Sequence, residues 1–127
     1  MPSRASIEPR SFLKHPEDFG TRMNPDWLPA PTSHPELGHF IAAYWQSSAA
    51  FMMREQMRED GEDLETAAKA MGTSPDTLAR KMRGEVPAKL RDLAMWVEMF
   101  GIALMPTLDT RADLMPRRKG PSSTRKR

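Results

Sequence analysis

Residues 63–84 read Asp63-Leu-Glu-Thr-Ala-Ala-Lys-Ala-Met-Gly72-Thr-Ser-Pro-Asp-Thr-Leu-Ala-Arg-Lys-Met-Arg-Gly84. Asp63 can accept a backbone N–H and begin a helix, and Gly72 can end that helix in the left-handed conformation. Ser74 and Pro75 suit the start of a second helix, because serine caps helices and proline fits the first turn. The stretch therefore predicts two short helices joined by a turn, with the second helix ending at Gly84.

Both short helices and a third one behind them have one apolar face each. These faces consist of Leu64, Ala67, Ala68 and Met71 in the first, Leu78 and Met82 in the second, and Leu90, Leu93, Ala94, Val97 and Phe100 in the third. We expect the third helix to begin at Pro87 and to close at Gly101. Three apolar faces close together along the chain predict a compact helical core.

A longer helical pattern precedes this stretch, from Glu36 to Asp60. Its apolar residues recur at intervals of three and four, and no proline interrupts them. Pro35 suits the first turn and Gly61 the stop. A helix of about 25 residues exceeds the usual length, so the segment is either one extended helix or two. The weak points for a break are Gly38, Ser47 and Ser48.

The two ends of the chain differ from the middle. Residues 1–36 contain seven of the twelve prolines, which excludes a long helix and predicts an extended N-terminal arm. The arm also contains Trp27-Leu28, which indicates that part of it packs on the rest of the protein. Residues 102–108 suit a short strand or extended segment. We expect three regions: a proline-rich arm (1–35), a helical domain (36–108) and a disordered basic tail (109–127).

The composition restricts the classes of protein that this chain can represent. Net charge is +2, but residues 106–127 alone hold seven Lys/Arg against two Asp/Glu, so the basic character is concentrated in the tail. The chain has no cysteine, which excludes disulfides and thiolate zinc sites and fits a reducing compartment. No apolar run approaches the roughly 20 residues of a membrane span, and no signal-peptide layout is present. These features predict a soluble, cytoplasmic protein.

The exposed face of the second short helix carries the candidate functional residues. With Leu78 and Met82 facing the core, the 100° rotation per residue places Asp76, Arg80 and Arg83 on the opposite face. Arginine can donate two hydrogen bonds to guanine, and aspartate can accept one from cytosine. The candidates for contact with DNA bases are Ser74, Asp76, Thr77, Arg80 and Arg83. The candidates for contact with DNA phosphates are Thr73, Lys81, Lys89, Arg91 and Lys69.

The segment from about Met52 to Leu104 resembles the Cro/XRE, or lambda-repressor-like, helix-turn-helix family. The matching residues are Ala68, Gly72, Thr77-Leu78, Arg80, Gly84 and the pattern Leu90, Leu93, Val97, Gly101. The resemblance implies an all-α bundle of four or five helices that binds double-stranded DNA, usually as a homodimer. It also implies a bacterial, plasmid or phage transcriptional regulator, with repression as the expected role, in the nucleoid-associated part of the cytoplasm.

Other functions have less support in the sequence. Neither a catalytic constellation nor a phosphate-cradling glycine loop is recognisable, so we expect no enzyme activity and no cofactor, and no small-molecule ligand is evident. His15, His34 and His39 lack the spacing of a metal site. The alternative to DNA binding is a protein-interaction module, such as an antitoxin or adaptor. It would use an aromatic stripe on the long helix (Phe40, Tyr44, Trp45, Phe51) to bind a partner. The same stripe also suits two other roles, internal packing against Trp27 and the final helix, or the interface of a dimer.

Overall fold

The computed structural model describes residues 7–102, and the regular secondary structure in this range is helical. The helices are α1 (His34–Asp60), α2 (Leu64–Met71), α3 (Pro75–Met82) and α4 (Leu90–Phe100), preceded by 3₁₀ turns at Pro9–Phe12 and Pro16–Asp18. Within this range no strand forms, and the only β-type pairing is an isolated antiparallel bridge between Leu13 and Trp27. The predicted all-α class is confirmed. The predicted extended segment after Ile102 and the basic tail lie outside the described residues.

Helix α1 is one continuous helix of 27 residues, which resolves the choice between one helix and two. The side chain of Ser33 caps its start by accepting from the Glu36 amide at 3.3 Å. Ser47 and Ser48, two of the expected weak points, are buried. The Ser47 hydroxyl accepts a hydrogen bond from the Gly20 amide at 3.0 Å. These serines therefore contact the rest of the protein from within an unbroken helix.

The α2–turn–α3 segment forms as its capping residues predict. The Asp63 carboxylate accepts from the Thr66 amide at 2.8 Å, and the Ser74 hydroxyl accepts from the Thr77 amide at 3.1 Å. Gly72 has φ +76°, the left-handed conformation that ends α2 without the strain of a side chain. The predicted caps and turn are confirmed.

The core lies where α1, α2, α3 and α4 meet. Helices α1 and α2 contribute small residues to it, since Ala49, Ala50, Ala67 and Ala68 are all fully buried. The remaining buried side chains are larger, namely Met53, Met57, Leu78, Met82, Leu93, Trp96, Phe100 and Ile102. Alanine lets helix backbones approach closely while the larger residues fill the space around them, so α3 is held from behind by its buried Leu78 and Met82.

The start of α4 differs from the prediction. The helix begins at Leu90 and not at Pro87, because the backbone of Lys89 is extended and the Asp92 carboxylate accepts from its amide at 2.8 Å. Leu90, expected in the core, is 78% exposed, and Ala94 is also exposed. Trp96 is buried instead. Hydrogen bonds to the connection before α4 hold it out of helical conformation, which delays the helix and leaves Leu90 on its exposed first turn.

Part of the N-terminal arm packs on α1. The Leu13–Trp27 pairing is flanked by backbone hydrogen bonds of 2.9 Å from Lys14 to Asp26 and from Leu28 to Phe12. The ring of Trp27 lies 5.5 Å from those of both Phe40 and Tyr44, and Phe12 lies 5.4 Å from Phe40. The arm is not extended throughout, because prolines begin two 3₁₀ turns in it. It therefore covers part of the aromatic stripe of α1.

The arm also reaches the end of α3. Gly20 has φ +73°, and a Cβ at this position would lie 2.5 Å from the Met82 carbonyl oxygen. The Arg10 amide donates to the Gly84 carbonyl at 3.1 Å. The end of α3 is thus fixed by the arm on one side and by α1 on the other. None of the helices in residues 7–102 is long and apolar enough to cross a bilayer.

Candidate nucleic-acid interface

The exposed face of α3 has the composition that the helical rotation predicts. Leu78 and Met82 are 1% and 2% exposed, whereas Asp76, Arg80 and Arg83 are exposed. Each of the two arginine side chains is 48% exposed. The predicted division of α3 into a core face and a solvent face is therefore confirmed. Two guanidinium groups and one carboxylate lie on the solvent side.

Ser74 and Thr77, at the start of α3, have a structural task in the free protein. The Ser74 hydroxyl accepts from the Thr77 amide, and the two hydroxyl oxygens lie 2.9 Å apart. Ser74 is exposed and Thr77 is half-buried. The pair fixes the first turn of α3 and places both hydroxyls at its N-terminal end, whereas Arg83 lies at its C-terminal end.

Glu85 joins Arg80 of α3 to Arg83, the residue that caps the end of that helix. Its carboxylate accepts from Nε of Arg83 at 2.6 Å and from Nε of Arg80 at 3.4 Å, and Nη1 of Arg10 lies 3.9 Å away. The hydrogen bond from Arg83 lowers the pKa of Glu85, and the same bond raises the pKa of Arg83. Sequence reasoning missed Glu85, because it lies beyond the end of the helix. Its position two residues after Arg83 was the only signal.

Lys81 forms an ion pair at the α3–α4 contact. Its ammonium donates to the Asp92 carboxylate at 2.9 Å, and both side chains are about four-fifths buried, at 19% and 20% exposure. Burial opposes ionisation of Asp92, but hydrogen bonds from Lys81 and from the Lys89 amide outweigh it, so the pKa of Asp92 lies below its usual value. Lys81 therefore joins α3 to α4, and a DNA phosphate would have to share it with Asp92.

Four of the five phosphate candidates line one depression. Thr73, Lys81, Lys89 and Arg91 surround a volume of about 180 Å³ between the α2–α3 turn and the start of α4. Asp92 is the one carboxylate in its lining, against three cations. Lys69 is exposed on α2 but is not part of this lining. The depression gathers a hydroxyl and positive charge beside the start of α3, which is a suitable arrangement for a phosphate.

A buried glutamine of α1 fixes the connection between α3 and α4. The amide nitrogen of Gln46 donates to the Lys81 carbonyl at 2.7 Å and to the Val86 carbonyl at 3.0 Å. Its amide oxygen accepts from the Ala88 amide at 2.7 Å. Gln46 is 2% exposed, so these groups have little access to water. Sequence reasoning missed this residue, although a glutamine within an apolar helix face is itself a signal of a buried polar contact.

The charged and hydroxyl side chains around α3 determine what this face can bind. Among the described residues, no group of three His, Asp or Glu side chains lies close enough together to hold a metal ion. The side chains that converge on α3 are arginines, one lysine, hydroxyls and the carboxylates that pair with the cations. Such groups recognise charged or hydrogen-bonding partners.

Comparison of the chain with models of protein families, with curated proteins and with solved structures gives no match. The resemblance to the lambda-repressor-like family therefore rests on the residues quoted from the sequence.

Proposed function

We propose that this protein binds double-stranded DNA in a sequence-specific manner through the exposed face of α3. The observation that supports this best is the exposure of Arg80 and Arg83 together on the face opposite Leu78 and Met82. A short helix braced from behind, with two guanidinium groups on its free face, has the geometry and chemistry that readout of the major groove requires.

The proposed contacts divide into base contacts and phosphate contacts. Arg80 and Arg83 donate to guanine, and Asp76 accepts from cytosine, while Ser74 and Thr77 contribute hydroxyls at the start of the helix. The lining of the depression beside α3 (Thr73, Lys89, Arg91 and the paired Lys81) contacts phosphates, with Lys69 as a further contact on α2. Phosphate contacts fix the position of the helix, and base contacts give specificity.

The biological role that we propose is transcription regulation, with repression as the expected outcome. Proteins that insert a helix into the major groove commonly bind paired half-sites as dimers. We therefore propose a homodimer on a palindromic operator, in a bacterial, plasmid or phage setting. The family resemblance and the exposed arginines on the α3 face support this role, and it requires no bound cofactor.

A protein-interaction module is the second candidate. The observation that favours it is the pairing of both α3 arginines with Glu85, which reduces the positive charge of the face that would meet DNA. A partner protein with its own carboxylates could replace Glu85 in these contacts. The aromatic stripe supports this candidate less, because Phe12 and Trp27 of the arm pack on Phe40.

Selection of duplexes from a random DNA library distinguishes the two candidates. We expect an enriched palindromic site with the wild type and a loss of about 1–3 kcal/mol in affinity for that site with Arg80→Ala. Arg22→Ala is the matched control, since Arg22 is exposed on the arm and pairs with Asp18, not with a residue of α3. Affinity for the selected duplex should also fall steeply with salt. Absence of enrichment, or binding that is indifferent to Arg80, would favour the interaction module.

A further inference from the structure

A second depression, separate from the phosphate candidates, opens between α1, α2 and α3. Its volume is about 440 Å³, within the range of small-molecule sites. It is lined by Arg54, Met57, Arg58, Glu62, Leu64, Ala79, Met82 and Arg83. Three guanidinium groups and one carboxylate therefore surround a surface made of apolar side chains.

Arg54 is the unusual member of this lining. Its Nε is buried and has no hydrogen-bond partner, and no carboxylate of residues 7–102 lies within ion-pair distance of its guanidinium. By contrast, Arg58 pairs with Glu55 at 2.7 Å and Arg83 with Glu85 at 2.6 Å. Burial lowers the pKa of Arg54, and the charge of Arg83 lowers it further. A half-buried, unpaired cation beside a second cation is unfavourable until an anion joins them.

The apolar part of the lining indicates what kind of anion fits. Leu64 and Ala79 are half-buried and keep apolar surface exposed in the lining, which also includes the buried Met57 and Met82. An inorganic ion would leave this surface in contact with water, whereas a hydrocarbon body would cover it. Glu62 adds a negative charge to the lining and disfavours a ligand with several anionic groups. The best match is one anionic head on a short apolar body.

We propose that this pocket binds a small amphipathic organic anion, whose carboxylate or phosphate head pairs with Arg54 and Arg83 while its apolar body packs on Met57, Leu64 and Met82. The guanidinium groups supply forked donors for either head group. No other described side chain supplies a counter-charge to Arg54, so the ligand provides it. Arg54 and Arg83 come together only in the folded chain, so the local sequence does not indicate such a ligand.

One consequence rests on the proposed DNA-binding function. Arg83 belongs both to this pocket and to the exposed face of α3. A ligand that holds Arg83 in the pocket removes it from contact with DNA, so saturating ligand should weaken binding of the selected duplex. Binding of the ligand itself does not depend on DNA, and the two claims can therefore fail separately.

Titration of the full-length ¹⁵N-labelled protein by NMR tests the pocket without DNA. The probes are octanoate and octyl phosphate, with octanol as the neutral control and inorganic phosphate as the control for charge alone. We expect at least one of the two octyl anions to bind below about 5 mM and to shift the amides of residues 54, 57, 64, 79 and 83. Octanol and inorganic phosphate should each bind at least about tenfold more weakly.

Two variants locate the binding. Arg54→Met keeps the apolar stem and removes the charge, and it should weaken binding of the octyl anion at least about tenfold, whereas Arg22→Met should not. Ala79→Leu leaves every arginine in place and fills the pocket, so it should also reduce binding. Circular dichroism confirms that each variant is folded. Failure of both octyl anions to bind, equal binding of octanol, or indifference to both pocket variants would overturn the proposal. Octyl-anion binding without an effect on the duplex would overturn only the link to DNA.

Discussion

Replacement of Gln46 by leucine tests how the end of α3 is held in place. The substitution preserves the size of the side chain and removes three hydrogen bonds, to the carbonyls of Lys81 and Val86 and from the amide of Ala88. Each buried group left without a partner costs about 1–3 kcal/mol. The added burial of leucine offsets part of this cost, and the half-buried Val86 and Ala88 regain some water. We expect the free energy of unfolding to fall by about 2–3 kcal/mol.

Thermal melts followed by circular dichroism measure this effect. A loss of 2–3 kcal/mol corresponds to a fall in Tm of about 8–12 °C for a domain of this size. Gln56→Leu is the matched control, since it makes the same change on the same helix and removes one bond, to Asp60 at 3.2 Å. That control should change the free energy of unfolding by less than about 0.5 kcal/mol. Equal melting temperatures for the two variants would refute the role of Gln46 as the fixed point of the α3–α4 connection.

Three further predictions concern the same region. Gly20→Ala should lower the free energy of unfolding by about 2–4 kcal/mol, because the added Cβ would lie 2.5 Å from the Met82 carbonyl oxygen. Gly72→Ala is the control: Gly72 has φ +76° and no atom near its Cβ position, so this substitution should cost about 1 kcal/mol. Equal costs in urea unfolding would contradict the close approach of the arm to α3. Asp92→Asn should lower the Tm at pH 7. The pKa of Asp92 is depressed in the folded protein, so its ionised form contributes stability above about pH 4, and this contribution is lost as the pH falls further. The difference in Tm between the variant and the wild type should therefore shrink below about pH 4. A difference that stays constant with pH would contradict the Lys81–Asp92 pairing. Glu85→Gln should raise affinity for the selected duplex about two- to tenfold in fluorescence anisotropy, because it releases Arg80 and Arg83, and unchanged affinity would show that Glu85 does not compete with DNA.

Local signals in the sequence predicted the helices well where capping residues mark their ends. Asp63, Gly72 and Ser74 each adopt the role that their chemistry favours, because a cap depends on neighbours within three residues. The solvent face of α3 was predictable for the same reason, since the helical rotation fixes it once Leu78 and Met82 are buried. The spacing of apolar residues along a helix is a local property, so it predicts directly which face of the helix is buried.

The features that failed or were missed depend on contacts between distant residues. The sequence predicts that α4 begins at Pro87, whereas it begins at Leu90. The hydrogen bonds between Gln46 and the connection before α4 span some 40 residues and cannot be read from local sequence. The pairing of Lys81 with Asp92 and the unpaired Arg54 likewise follow from how α1, α3 and α4 pack. Local patterns therefore located the α3 face, whereas the ion pairs that set its charge required the structure.

Readout of DNA by α3 is tested by measuring its base preference at each position of the selected duplex. Every base pair of the site is replaced in turn, and affinities are measured for the wild type, for Arg80→Ala and for Lys89→Ala. We predict that Arg80→Ala abolishes a preference of about 1–3 kcal/mol for guanine at one position of each half-site, while Lys89→Ala weakens all duplexes alike and lowers the salt dependence. An unchanged preference profile for Arg80→Ala would contradict readout of DNA by the exposed face of α3.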